Sequence, residues 1–374
     1  MNYYIDLFSP ETARAFEQSK QDISGFRISR KTHVENRNIG PGDRFVCYVT
    51  KIQRIIGILE ITSKYFIDKT PIFFKENDPF ELRFNVKPIV WLPLEKAIPI
   101  HQDIIWQNLS FTKSLAKNDN SWTWRVFGSP NPHWPKEDCV YLEKLLIEQV
   151  SKQVDYPFTE DDQKKLKTQK IRTSNQKEVT VSVPEDEETT SEELGQVIAG
   201  ERRESIKVQA KLAEIGEKLG MKIWLPRNDR TGVLENWKPK QDDILLEDLP
   251  LVFDETTLKT IKNIDVLWIR RRSIIRAFEV EDKTSIYSGI LRMADLLALQ
   301  PMLDIKIHIV APVTRRDEVF KQISRPVFAV MEKGPLSEFC SYISYDSVYE
   351  LSKEKQLENM KDTIIDEYSE FSEE

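Results

Sequence analysis

Hydrophobic and polar positions change rhythm along the chain, and the changes divide it. Tyr3 to Phe8 reads as a strand, and Ser9 followed by Pro10 supplies an N-cap and a first-turn proline for a helix. Arg44 to Thr50, Gln53 to Ile61 and Phe80 to Val86 read as further strands, and Glu137 to Gln149, with Val140, Leu142, Leu145 and Leu146, as a closing helix. A compact β-rich domain over 1–153 is expected. From Val154 to Thr190 large apolar residues give way to Lys, Gln, Thr, Ser and Glu, ending in PEDEETTSEE. Such a stretch cannot bury enough surface to offset its ordering entropy, so 154–195 is expected to be a polar, acidic linker.

Helical spacing then appears. Val208, Leu212, Ile215 and Leu219 fall on one helix face, which Gly220 terminates. Strands are expected at Met221 to Leu225, Ile264 to Ile269 and Ile274 to Val280, with a polar, proline-containing insertion reaching to about Leu258. Ile286, Ile290, Met293 and Leu297 mark a second amphipathic helix, Ile305 to Val310 a strand, Asp317 to Ser324 a helix and Val327 to Val330 a last strand. This order describes a mixed sheet flanked by helices over 196–350, and the acidic 351–374 reads as a solvated helix and disordered end. The fold class is thus α+β or α/β, in two domains.

Composition narrows the chemistry. The net charge of −7 disfavours a nucleic-acid binder until it is divided: 1–150 carries 20 bases and 18 acids, and 201–350 carries 24 of each. Both candidate domains are near neutral, so a local basic patch is compatible with them. No apolar run approaches the roughly 18 residues of a membrane span, and Asp6 interrupts any signal-peptide pattern, so a soluble cytoplasmic protein is expected. Cys47, Cys139 and Cys340, like His33, His101, His133 and His308, are too scattered for a disulfide framework or a zinc clip. A catalytic metal would be a hard cation held by carboxylates. No P-loop, Ser-His-Asp order or HExxH occurs.

The informative cluster is IDVLW, Ile264 to Trp268, followed by RRRSIIRAFEVE, Arg270 to Glu281. Glu279 and Glu281 are two apart on a strand and share a face, while Asp265 opens the neighbouring strand in an apolar run. Three converging acids repel one another without a cation, which Mg²⁺ or Mn²⁺ would supply. A solvated edge, or ion pairs with Arg270, Arg271, Arg272 and Arg276, is the plainer reading of the same residues. The succession of a helix, a strand, the strand of Asp265, the strand of Glu279 and Glu281, and a helix resembles the PD-(D/E)xK nuclease core. That resemblance implies Asp265 and Glu279 as metal ligands and Glu281 in the position of the family's lysine, a substitution that some restriction enzymes of this fold resemble. It also implies an acid or glutamine on the first core helix, Gln209, with Glu204 as competitor. Tyr287 and Arg292 open the helix after the metal strands and could reach phosphate. Arg270, Arg271 and Arg272 are either solvated hairpin charges or phosphate contacts.

FSPETARAF, Phe8 to Phe16, SGFR, Ser24 to Arg27, and PGDRFVCYVTKIQRIIGILEI, Pro41 to Ile61, resemble an EVE domain of the PUA-like and YTH-like group. The resemblance implies a PUA-like β-barrel that takes a flipped, modified base into an aromatic pocket, for which Phe26, Tyr48, Trp91 and Trp106 are candidates against an ordinary core role. Trp122, Trp124 and Trp134, in a loop rich in Asn, Ser and Pro, are candidates to line DNA. Together the resemblances imply a modification-dependent restriction endonuclease acting on double-stranded DNA that carries a modified base, with pairing as a homodimer compatible. A catalytically dead binder and an RNA-binding or processing protein are the alternatives.

Overall fold

Residues 1–74, 78–166, 169–172, 178–181, 194–251, 258, 261–282, 286–299 and 304–372 are described by the computed structural model. They fall into two units, Met1–Thr168 and Gln169–Ser372.

The first unit begins with β1 (Tyr3–Phe8), buried along its whole length, and α1 (Pro10–Gln18), where the Ser9 hydroxyl accepts from Thr12 N at 3.1 Å as an N-cap. Next come β2 (Ile23–Phe26), α2 (Lys31–Arg37), β3 (Arg44–Val49), β4 (Arg54–Ile61), β5 (Phe66–Ile67), β6 (Leu82–Trp91) and β7 (Ile98–Pro99). The sheet runs β1-β3-β4-β6-β2, with β5 on β6 and β7 on β4; β1 is parallel to β3 and the other pairs are antiparallel. Ser24 of β2 donates to Asp6 of β1 at 2.6 Å, so a buried side-chain bond links the two edge strands of this half-barrel. Phe8, Phe16, Phe26, Phe45 and Phe84 sit in one apolar cluster beneath it.

Helices α3 (Asp103–Trp106), α4 (Lys136–Lys152) and α5 (Glu160–Lys165) complete the unit. The polar residues after Val154 are not a bare tether. Buried Arg54 donates to Tyr156 O at 2.7 Å and to Pro157 O at 3.2 Å and pairs with Asp162 at 3.4 Å. A buried guanidinium can hold a segment that lacks apolar side chains. Further on, β8 (Gln169–Arg172) pairs antiparallel with β9 (Glu178–Val181); 182–193 of the expected linker lies outside the described residues.

The second unit is built on α6 (Leu194–Lys218), β10 (Lys222–Trp224), α7 (Arg227–Asn236), β11 (Val266–Arg270), β12 (Ser273–Val280) and α8 (Ile286–Leu299). It continues with β13 (Lys306–Ala311), α9 (Arg316–Ile323), α10 (Pro326–Ala329), β14 (Cys340–Ser344), α11 (Tyr345–Ser352) and β15 (Ser369–Glu370). The six-stranded sheet runs in sequence order from β10 to β15, with β12, β13 and β14 parallel and the other pairs antiparallel. Helix α6 lies close on it: Trp268 of β11 donates its indole N–H to Leu212 O at 3.0 Å, and a Cβ at Gly216 would lie 2.5 Å from that indole nitrogen.

Two expectations are corrected here. Val327 to Val330 is not a strand: Pro326 starts the helical turn α10, Val327 and Val330 are exposed, and the strand is Cys340–Ser344. The acidic end is only partly solvated: Glu354 and Glu358 are exposed, whereas basic residues of the sheet and of α9 hold Asp362, Asp366 and Glu370. Arg276 pairs with Asp366 at 2.7 Å and Asp362 at 3.3 Å, Arg270 pairs with Asp362 at 2.9 Å, and Arg316 donates to Glu370 at 2.8 Å. No described helix is long and apolar enough to cross a membrane.

Candidate active site

Asp265 immediately precedes β11, and Val266 pairs with Phe278, so Asp265 stands level with Glu279 on the adjacent strand. Its Oδ2 accepts the backbone N–H of Val280 at 2.8 Å. Glu279 and Glu281 share the face that meets α8, as the two-residue spacing requires: a Cβ at Gly289 would collide with Glu281 Oε1 and lie 3.3 Å from Glu279 Cβ. On the other face Phe278 stacks on His308, ring centroids 4.9 Å apart. Glycine at 289 thus allows α8 to close over the carboxylates.

Arg292, one turn further along α8, grips Glu279 with both arms. Its Nε donates to Oε1 at 2.8 Å and its Nη2 to Oε2 at 2.5 Å, and Nη2 lies 3.9 Å from Glu281 Oε1. Glu279 is fully buried and Glu281 nearly so, whereas Arg292 is partly exposed. Burial, then the field of Asp265, pushes the Glu279 carboxyl up, with Arg292 opposing. Burial, then the charge of Glu281, pushes Asp265 up to about 7, against the Val280 N–H and Arg292. The bond to Glu279 raises Arg292.

The guanidinium of Arg292 meets a group of three carboxylates, a set of hard oxygen donors. That donor set fits a divalent cation of the magnesium type. Among the described residues no group of three His, Cys, Asp or Glu side chains is arranged as a ready-made metal-ligand set, and at this site both Glu279 oxygens are bonded to Arg292.

Gln209 is buried on α6, and its Oε1 has no hydrogen-bond partner. Glu204 is held instead by Tyr349, whose hydroxyl donates to it at 2.6 Å, and by Lys207 at 3.1 Å; its pKa is lowered, chiefly through the Tyr349 bond. Arg270, Arg271 and Arg272 do not converge with the carboxylates. Arg270 pairs with Ser273 at the closed end of the β11–β12 hairpin, four residues or about 13 Å along the strand from Val266. Thr284, at the start of the expected second helix, lies outside the described residues.

The aromatic candidates of the first unit do not form one cage. Phe26 packs against Phe45 and Phe84, centroids 5.3 and 6.0 Å away, and Trp91 against Phe16 and Phe8, 4.4 and 5.3 Å away. Tyr48 sits edge-on to Trp134, and Trp106 stacks on His101 at 4.9 Å. Phe26, Tyr48 and Trp106 are buried, whereas Trp91 is only partly so, with an indole N–H that has no hydrogen-bond partner. Trp122 and Trp134 are core as well, packed on Phe111, and only Trp124 of that trio is partly exposed. A cavity of about 270 Å³ in this unit is lined in part by Arg14, Lys51, Phe73 and Lys165 and by none of the four aromatic candidates.

The mixed sheet that brings Asp265, Glu279 and Glu281 to neighbouring strand ends beside Arg292 falls within the region for which sequence comparison finds a family. The chain belongs to the family of the C-terminal domain of the type II restriction enzyme NmeDI, which matches residues 182–371. It is 31% identical over 166 residues to NmeDI of Neisseria meningitidis serogroup C, covering 42% of this chain and 46% of that protein, so the match spans about half the length of that relative. It is likewise 31% identical over 161 residues to UPF0310 protein PH1033 of Pyrococcus horikoshii, covering 39% of this chain and the whole of that protein. Among solved structures, the Mmi1 YTH domain in complex with RNA is 13% identical, covering 42% of this chain and 84% of that one, with a TM-score of 0.29. The YTH domain of Zygosaccharomyces rouxii MRB1 in complex with N6-methyladenosine RNA is 14% identical, covering 38% and 86%, with a TM-score of 0.27.

Proposed function

We propose that this chain is a modification-dependent DNA endonuclease in which an EVE-like first unit reads a modified base and a PD-(D/E)xK-like second unit hydrolyses the phosphodiester. The observation that carries the reading is the trio Asp265, Glu279 and Glu281 at the ends of adjacent strands, the two glutamates buried, with Arg292 set against them. Asp265 and Glu279 would hold Mg²⁺ or Mn²⁺, which when bound supplies Lewis acidity toward the phosphodiester and its attacking water. Glu281, on the same face as Glu279, orients that water. Arg292 has the planar fork that suits two phosphate oxygens. Helix α8, close-packed through Gly289, limits the access of bulk water to the carboxylates.

In the first unit Trp91, partly exposed and with a free indole N–H, is the residue of the four best suited to a base. Digestion of DNAs that differ only in cytosine or adenine modification, with Mg²⁺ or Mn²⁺ present, tests reader and cutter together. A second reading, a modified-DNA-binding protein that does not cut, is favoured by the grip of Arg292 on Glu279 and by Glu281 standing where a lysine is usual. A nicking assay across divalent ions separates the two.

A further inference from the structure

The carboxyl ends of the parallel strands β12, β13 and β14 lie at one edge of the sheet. Val280 is opposite Val310, the Glu281 N–H donates to Val310 O at 2.8 Å, and Ala311 is opposite Ser344. Glu281 and Tyr345 therefore leave the sheet side by side, separated by one strand. Ligands of such sheets bind beyond the carboxyl ends of the strands.

Tyr345 opens α11, fixed there by Ser344, whose hydroxyl accepts from Ser347 N at 3.0 Å. Tyr349, four residues on and hence on the same helix face, bonds Glu204 of α6. Tyr345 thus lies on the face of α11 turned toward the helix that also carries Gln209. It is 7% exposed, and its hydroxyl is buried without a hydrogen-bond partner, as is Gln209 Oε1. Native proteins rarely leave a buried hydroxyl unsatisfied without a functional reason. Burial, and then the negative fields of Asp282, Glu281, Glu204 and Asp265, raise its pKa, so among these carboxylates it stays protonated and acts as a donor.

We propose that Tyr345 is a further active-site residue, whose hydroxyl donates a hydrogen bond to a phosphodiester oxygen of the bound strand beside Asp265, Glu279 and Glu281. This assignment rests on the nuclease reading. In it the tyrosine supplies the neutral donor that a site lacking the usual lysine needs for the charge developing on phosphate.

Two measurements on the full chain decide it. Tyr345→Phe removes only the oxygen, so kcat on a cleaved modified duplex is expected to fall about 100-fold, with KM and melting temperature unchanged. Separately, 3-fluorotyrosine placed at position 345 alone should give a ¹⁹F resonance that Mn²⁺ broadens, and that Mn²⁺ leaves sharp when Glu279→Ala is added. If wild-type protein cleaves no DNA offered, the nuclease reading fails, and the fluorine signal still decides the placement of Tyr345. A resonance untouched by Mn²⁺ overturns the proposal, and so does wild-type kcat in Tyr345→Phe.

Discussion

Arg292 and Glu279 form a two-pronged ion pair across the gap between α8 and β12, with contacts of 2.8 and 2.5 Å to a carboxylate that is fully buried. The guanidinium occupies both oxygens of the carboxylate, so a divalent ion bound through Glu279 would compete with it. Arg292→Gln is therefore expected to bind Mn²⁺ more tightly than wild type while losing cleavage, because the phosphate fork is gone. The substitution also leaves Glu279 buried without its partner, at a cost of about 3 kcal/mol in metal-free stability. Calorimetric titration with Mn²⁺ and metal-free urea unfolding check both halves.

A divalent ion held among these carboxylates is expected to stabilise the wild-type unit. Saturating Mg²⁺ or Mn²⁺ at about 100 times the dissociation constant should stabilise it by about 2.7 kcal/mol. In Asp265→Ala or Glu279→Ala that gain should vanish, although the metal-free protein stays folded. Thermal melts of the full chain with and without ion provide the measurement, and an equal gain in both variants would place the ion elsewhere.

His308 gives a pH signature independent of the carboxylate cluster. Its Nε2 accepts from Arg276 at 3.1 Å, so its Nδ1–H donates to Ser341 at 2.7 Å, and the ring is neutral. Burial, then the charge of Arg276, holds its pKa well below the usual value. Unfolded histidine takes up a proton near pH 6.5 that the folded chain refuses. The stability contribution is therefore complete above about pH 6.5 and falls as pH drops toward the depressed folded value. In urea unfolding from about pH 7 to 5, His308→Gln should show a shallower acid decline than wild type. An identical slope would contradict the assignment.

Much of this site was legible because its signals are local. The two-residue spacing of Glu279 and Glu281 fixes a shared face, and the apolar periodicity of Val208 to Leu219 and of Ile286 to Leu297 marks helices α6 and α8. The partner of Arg292 was not legible, since only the packing of α8 through Gly289 carries it to Glu279. Nor was the fate of the acidic end: Asp362, Asp366 and Glu370 look solvated until Arg270, Arg276 and Arg316 are folded beside them. Aromatic residues such as Tyr48 and Trp106 carry no mark that separates a base platform from core, and the fold makes these two core.

The proposed base-reading role of the first unit is tested at Trp91. Trp91→Ala in the full chain should weaken binding to modified duplex by about 5- to 150-fold, the worth of one stacked base, whereas Trp91→Phe keeps a ring against Phe16 and should lose less. Circular dichroism must show both variants folded. Binding at two salt concentrations separates stacking from phosphate contacts.

The most direct test of the central claim is digestion of matched DNAs, identical in sequence and differing only in base modification, by wild type and by Glu279→Ala in the presence of Mg²⁺ or Mn²⁺. The expected result is cleavage of a modified DNA by wild type alone, with its unmodified counterpart intact. Cleavage by Glu279→Ala at the wild-type rate, or no cleavage of any modified DNA by wild type, would contradict it.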